Sequence, residues 1–259
     1  MSTAPQPPAS LTGRTILVTG GARRVGAAIS RHLGGLGARV VVHHHASGAA
    51  AEALAAELPA GGLALGADLA AADGPDGLLA ACEEAGFSPD AIVHSAASFL
   101  RRPVEDTTAA DWDRVFALNL RAFFLLARGF ARRSGEGRVG EGDRCLVAVS
   151  DSGAYELWTG YAAHCVSKAA LLPLVQVLAK ALAPGIRVNA VVPGPVLPEP
   201  GSSPQRVEAM AERTLLGRVG DPRDVAEAVA FLIGSRFATG TLLEITGGSH
   251  LWRGRLDRE

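Results

Sequence analysis

Seven apolar runs, most of them rich in β-branched residues, recur along the chain and alternate with helical patterns, and this alternation constrains the fold more than any other feature. The runs are RTILVTG (14–20), ARVVVHHH (38–45), GLALGADL (62–69), DAIVHSAA (90–97), RCLVAVS (144–150), IRVNAVVP (186–193) and TGTLLEITGG (239–248). Helical patterns occupy 24–37, 47–58, 73–85, 111–133, 160–182 and 222–234 between or after them. A strand written as an unbroken Val, Ile and Leu run is apolar on both faces, and a parallel sheet with helices on each side buries both. The expected fold is α/β, a doubly wound parallel sheet flanked by helices.

At 259 residues the chain suits one such domain of Rossmann type over 12–259, preceded by a flexible Pro/Ser-rich tail at 1–11. The stretch PGPVLPEPGSSPQ (193–205), with five prolines, reads as a loop over the end of the sheet, and 193–215 should close over a substrate. Apolar residues make up 48% of the chain and charged ones 20%, with a net charge of −1. That balance leaves no electrostatic footprint for nucleic acid or an anionic membrane, and no run reaches the roughly 18 apolar residues of a membrane span. The N-terminus lacks the basic start and apolar stretch of a leader. Cys82, Cys145 and Cys165 are odd in number and widely spaced, which argues against a disulfide framework or a zinc site and points to a reducing cytoplasm.

The first strand ends in TGGARRVG, Thr19 to Gly26. Gly20 and Gly26 allow a tight turn and bring a helix N-terminus, with Val25 in its first turn, close to a pyrophosphate; Arg23 and Arg24 favour further anionic groups there. The second strand ends in HHHAS, where a carboxylate would bond the ribose hydroxyl of NAD. His44, His45 and Ser47 can instead donate to a 2′-phosphate, so the expected cofactor is NADPH/NADP+. Ser47 also suits the N-cap of the next helix. No metal site is expected at the three histidines, because His44 faces away from the other two and no carboxylate or cysteine stands near in sequence. Only Lys168 and Lys180 among 25 basic residues are lysine, so a lysine kept within a polar cluster is expected to be needed as lysine.

With these motifs the chain resembles a short-chain dehydrogenase/reductase and, within that family, is similar to the pteridine reductases, over about residues 12 to 250. The resemblance assigns ADL (67–69) to the adenine, with Asp68 and Leu69, and SFL to an aromatic, Phe99, that stacks on a flat substrate. It assigns Asn119 to a proton relay, Lys168 to the nicotinamide ribose, and Pro193, Gly194 and Val196 to the loop against the carboxamide. Asp151 stands where most members have serine and pteridine reductases have aspartate. Two departures are specific to this chain. The usual Asn-Asn-Ala-Gly segment reads His94-Ser95-Ala96-Ala97, with Ser95, Ala96 and Ala97 still expected at the cofactor. The family's catalytic tyrosine lies thirteen residues after the Asp151 position and four before the Lys168 position, and both intervals land on His164.

The expected function is an NADPH-dependent reductase of a flat conjugated C=N or C=O small molecule, using Asp151, His164, Lys168 and Asn119, with Arg24, Phe99 and Tyr161 at the substrate. Asp151 should favour imidazolium at His164 and Lys168 should disfavour it. Three roles stay open at this point: His164 as general acid, His164 as a pocket residue that only satisfies hydrogen bonds, or Tyr161 as donor in its place. If the histidine is inert, the alternative is an NADP(H)-binding protein without redox turnover, serving as sensor, scaffold or host for other chemistry. The resemblance and apolar positions on 111–133 and 160–182 imply a homo-oligomer, a tetramer. Pro173 should bend the second of these helices.

Overall fold

The computed structural model describes residues 10–133, 143–199 and 201–251. Its strands are β1 (Thr15–Thr19), β2 (Arg39–His44), β3 (Gly62–Gly66), β4 (Ala91–His94), β5 (Arg144–Val149), β6 (Ile186–Pro193) and β7 (Leu242–Ile245). All pair in parallel in the order β3-β2-β1-β4-β5-β6-β7. The chain winds outward from β1 in one direction and from β4 in the other, so a crevice opens between them at the C-terminal edge, where such sheets bind ligands.

The helices are α1 (Arg24–Gly35), α2 (Gly48–Glu57), α3 (Gly74–Glu84), α4 (Ala109–Phe116), α5 (Ala122–Arg132), α6 (Gly153–Glu156), α7 (Ala162–Leu182), α8 (Pro204–Glu212) and α9 (Pro222–Gly234). Adjacent strand residues serve opposite faces. Ile16 and Val18 pack with Ile29, Leu33 and Val229 from α1 and α9, whereas Leu17 packs with Leu126, Leu171 and Val175 from α5 and α7. Contrary to the expected absence of such a run, the segment Thr159–Leu182 is long and apolar enough to cross a membrane by length and composition. Here its Leu171 and Val175 are fully buried in the sheet's core.

Three boundaries differ from expectation. Leu11, assigned to the tail, is buried, and its N–H donates to the Leu36 carbonyl at 2.9 Å, so the folded domain includes it; residues 1–9 and 252–259 lie outside the described residues. The loop expected through 215 contains α8, started by Pro204 in the first turn and by Ser203, whose hydroxyl accepts from the Arg206 N–H at 3.3 Å. The single helix expected over 111–133 is two helices joined through a π-helical segment, Ala117–Arg121, that carries Asn119. The wider turn there, closed by i→i+5 hydrogen bonds, turns the asparagine inward, a distortion typical of functional sites.

Candidate active site

A cleft of about 1100 Å³ opens at the C-terminal edge of the sheet. The expected residues of the first turn, the β3 and β4 ends and the β6 loop border it, together with His45, Ser47, Phe99, Asp151, Tyr161, His164 and Lys168. Its floor is built by close approach. A Cβ on Gly26 would stand 2.1 Å from the Gly20 carbonyl oxygen, and one on Gly20, whose φ is +63°, would stand 2.9 Å from the Ala96 Cα. No side chain caps α1, so its first N–H groups are available where Arg23 to Gly26 meet the cleft. An uncapped helix start above two obligatory glycines fits a pyrophosphate. Arg24, at φ +49°, donates to the Leu197 carbonyl at 3.1 Å and so ties this turn to the loop after β6. Ser47 sits at the N-cap of α2 but makes no capping hydrogen bond.

His44 does not line the cleft; its ring packs toward Gly48 and Gly66, a correction to its expected place at the cofactor. Strand alternation turns His43 into the site instead, a residue the sequence reading passed over. The Gly20 N–H donates to His43 Nδ1 at 3.1 Å, which leaves Nε2–H to donate to the Ala67 carbonyl at 3.1 Å. The ring therefore ties the phosphate turn to the adenine-side segment. Burial pushes His43 down to about 4, with the Ala67 hydrogen bond opposing.

His94 forms a second neutral tie. The Thr19 hydroxyl accepts from the Ser95 and Ala96 N–H groups, both at 3.1 Å, so its own hydrogen goes to His94 Nδ1 at 3.0 Å. Nε2–H then donates to the Leu118 carbonyl at 3.2 Å. Burial, aided by the nearby Lys168 charge, drives this ring down to about 3. The segment that usually begins with two asparagines is thus held by an imidazole spanning β1 and the π-helical segment.

His164 has the opposite surroundings. Nδ1 faces the Ser98 carbonyl at 2.9 Å and Nε2 faces Asp151 Oδ2 at 2.6 Å. Asn119 holds Ser98 in place: its Oδ1 accepts from the Ser98 N–H at 2.7 Å and its Nδ2 donates to the Ser98 carbonyl at 3.2 Å. Nδ2 also donates to Ser167 Oγ at 2.9 Å, and that hydroxyl donates to the His164 carbonyl at 2.7 Å. Asn119 is fully buried and does not line the cleft, so its place is behind the histidine. Lys168 Nζ donates to the Val149 carbonyl at 2.6 Å, and burial pulls its pKa down against the opposing Asp151 charge. Burial pushes the Asp151 carboxyl up, but the hydrogen bond from His164 and the Lys168 charge outweigh it and hold the group below its usual range.

Aromatic rings cover the substrate end. Phe99 is half exposed and lies 4.5 Å from the Tyr161 ring and edge-on to His164 at 4.7 Å. Trp158 joins them and donates its Nε1–H to Glu156 Oε2 at 2.8 Å. Glu156 also accepts from Ser249 and stands 3.6 Å from Arg213, so it joins the wall to α8 and to the turn after β7. Leu157 between them has φ +52°, a strained conformation that lets both neighbours face the cleft. Glu156 and Trp158 were not anticipated, because nothing local marks a left-handed leucine.

A family model described as Enoyl-(Acyl carrier protein) reductase matches residues 20–250. The NADPH-dependent aldehyde reductase-like protein, chloroplastic, of Arabidopsis thaliana is 32% identical, covering 95% of this chain and 98% of its own. L-rhamnose 1-dehydrogenase (NAD(P)(+)) of Azotobacter vinelandii is 37% identical, covering 92% and 97%. Among solved structures, FolM Alternative dihydrofolate reductase 1 from Brucella canis complexed with NADP superposes with a TM-score of 0.83 at 30% identity, covering 97% of this chain and 100% of the other.

Proposed function

The chain belongs to the short-chain dehydrogenase/reductase family, and from that premise we propose that it is a reductase of a flat, conjugated C=O or C=N small molecule, of pteridine-reductase type. It is an NADP(H)-dependent oxidoreductase. The observation that carries the narrower reading is the juxtaposition of the Asp151–His164 pair with the Phe99–Tyr161 aromatic wall at the nicotinamide end of the cleft. When bound, NADPH supplies the hydride. The uncapped start of α1 and Arg23 would hold its pyrophosphate, His45 and Ser47 its 2′-phosphate, Asp68 and Leu69 its adenine, and Lys168 its ribose. Phe99 and Tyr161 would stack the substrate and exclude water, and the Asp151–His164 pair would hold the proton that completes reduction. The likeness to a dihydrofolate reductase supports a pteridine-like ring as substrate.

Two further features fit this reading. Cys82, Cys145 and Cys165 are buried and unpaired, as suits a cytoplasmic protein. Phe124 and Val177 are exposed on α5 and α7 and would be covered in the proposed tetramer, which light scattering at four times 26.6 kDa would show and a monomer would refute.

The test of function is NADPH oxidation by the purified protein against dihydropterins, dihydrofolate, ortho-quinones and α-diketones. Turnover of one of these planar compounds with no turnover of simple sugars is the expected result. Tight NADPH binding with none consumed would replace this reading by a binding protein without turnover.

A further inference from the structure

The hydrogens of the Asp151–His164 pair can be counted from its neighbours. The Ser98 carbonyl accepts only, so Nδ1 must carry hydrogen to make the 2.9 Å contact. A second hydrogen must lie in the 2.6 Å contact between Nε2 and Oδ2, since a lone pair facing a carboxylate at that distance would repel it. The pair therefore carries two hydrogens and no net charge, whichever partner holds the shared one. Losing one would set a lone pair of the ring against either the Ser98 carbonyl or the Asp151 carboxylate, so this arrangement favours the loaded state.

Both N–H groups of His164 are spent inside the protein, and its side chain is 2% exposed. Phe99 seals one edge of the imidazole, and the Trp158 ring lies parallel to the imidazole within 4°. The Asp151 side chain is 21% exposed and borders the cleft. Its Oδ1 accepts one hydrogen bond, from the Gly153 N–H at 2.8 Å, and each carboxylate oxygen keeps a further lone-pair site.

We propose that Asp151, not His164, hands the proton to the substrate, and that His164, set by Ser98 and Asn119, is a positioning residue that keeps this carboxyl supplied. The inference rests on the reductase reading and concerns the same site. In the step it describes, the substrate carbon accepts the hydride supplied by NADPH, and its oxygen or nitrogen takes the proton from Asp151. That proton is the shared one, drawn onto Asp151 from His164 Nε2 across the short contact as the hydride arrives; the pair is left with the Nδ1 hydrogen and an ionised carboxylate, and regains one proton from water after product leaves. One hydride and one proton are consumed per C=O or C=N bond reduced.

The test uses the full chain, wild type and the variants His164→Gln, Asp151→Asn and the double variant. Two readouts need no turnover. A far-downfield proton resonance from the shared hydrogen is expected in the NADP+-bound wild type and should vanish in either single variant. In the cofactor-free protein, a water-soluble carbodiimide should label Asp151, while diethyl pyrocarbonate should acylate exposed His45 and spare His164. With an ortho-quinone as probe, each single variant should lose about a hundredfold in kcat with little change in KM, and the double variant should lose no more than the worse single one. Turnover kept by Asp151→Asn but lost by His164→Gln overturns the proposal, as does acylation of His164 at the rate of His45. An inert wild type that still shows the resonance and the labelling overturns the reductase reading and the hand-over with it, leaving the hold of His164 on Asp151 standing.

Discussion

His43, in the part of the cleft assigned to the cofactor, and His94, buried behind it, differ from His164, in the part assigned to chemistry, by one hydrogen. Each of the first two rings meets one donor and one acceptor, the Gly20 N–H and Ala67 carbonyl for His43, the Thr19 hydroxyl and Leu118 carbonyl for His94. Such rings are satisfied only when neutral. His164 meets two acceptors and shares a two-hydrogen unit with Asp151. Three buried imidazoles, on β2, β4 and α7, thus have two kinds of surroundings, and what separates them is the polarity of the groups they face. The neutral rings act as struts, joining strand ends that must keep their spacing; the third, in the proposed reaction, would hold a transferable proton.

That contrast can be broken most sharply at His94. His94→Ala should cost about 3 kcal/mol in stability, from a cavity plus the partners left at Thr19 and Leu118, and denaturant titration should show it. A loss under about 1 kcal/mol would mean that the ring is no strut. The complementary variant, His164→Ala, should lower turnover by about a hundredfold, near 2.7 kcal/mol of activation free energy, with NADPH affinity almost unchanged. Turnover left nearly intact on a genuine substrate would make the histidine a bystander that does not supply Asp151, and Tyr161 the next donor to test.

Acid sharpens the comparison through stability. His43 and His94 are pushed to about 4 and about 3 in the folded chain, below the unfolded value of 6.5, so between those values the unfolded chain binds more protons. Their contribution is complete above about pH 6.5 and declines as pH falls, by about 1.4 kcal/mol per pH unit for each ring. Asp151, held below its usual range, loses stabilisation in the same direction at lower pH. Urea midpoints that stay level from about pH 6.5 to pH 5 would contradict the two neutral rings. The smallest effect is at the cofactor: NADPH should bind at least about tenfold tighter than NADH, roughly 1.4 kcal/mol, and equal dissociation constants would remove the 2′-phosphate role of His45 and Ser47.

The alternation of strand runs and helical patterns was enough to place the seven strands among the described residues, because the central ones are buried on both faces and keep few polar positions to blur them. The glycine turn was legible for a similar reason: the contacts at Gly20 and Gly26 are with backbone, and only glycine fits them. Less was visible where one residue's conformation re-aims its neighbours. The left-handed Leu157 turns Glu156 and Trp158 inward, and the π-helical segment turns Asn119 away from the cleft, and neither follows from local propensity. Helix α8 was hidden by prolines that end one loop and start the helix. The strand period that sets His44 opposite its neighbours also turns it out of the cleft and His43 into it, although the basic end of the strand points to His44.

By itself, the sequence determined the doubly wound sheet, the absence of a carboxylate at the end of the second strand, and the histidine four residues before Lys168. Each follows from spacing or residue type within one element. The proton content of that histidine was decided only by tertiary structure. Its partners, Ser98 and Asp151, stand 66 and 13 residues away, on segments that follow β4 and β5. An imidazole has the same chemistry at all three buried positions, and whether it acts as strut or proton store depends on the donors and acceptors that distant strand ends bring to its two nitrogens.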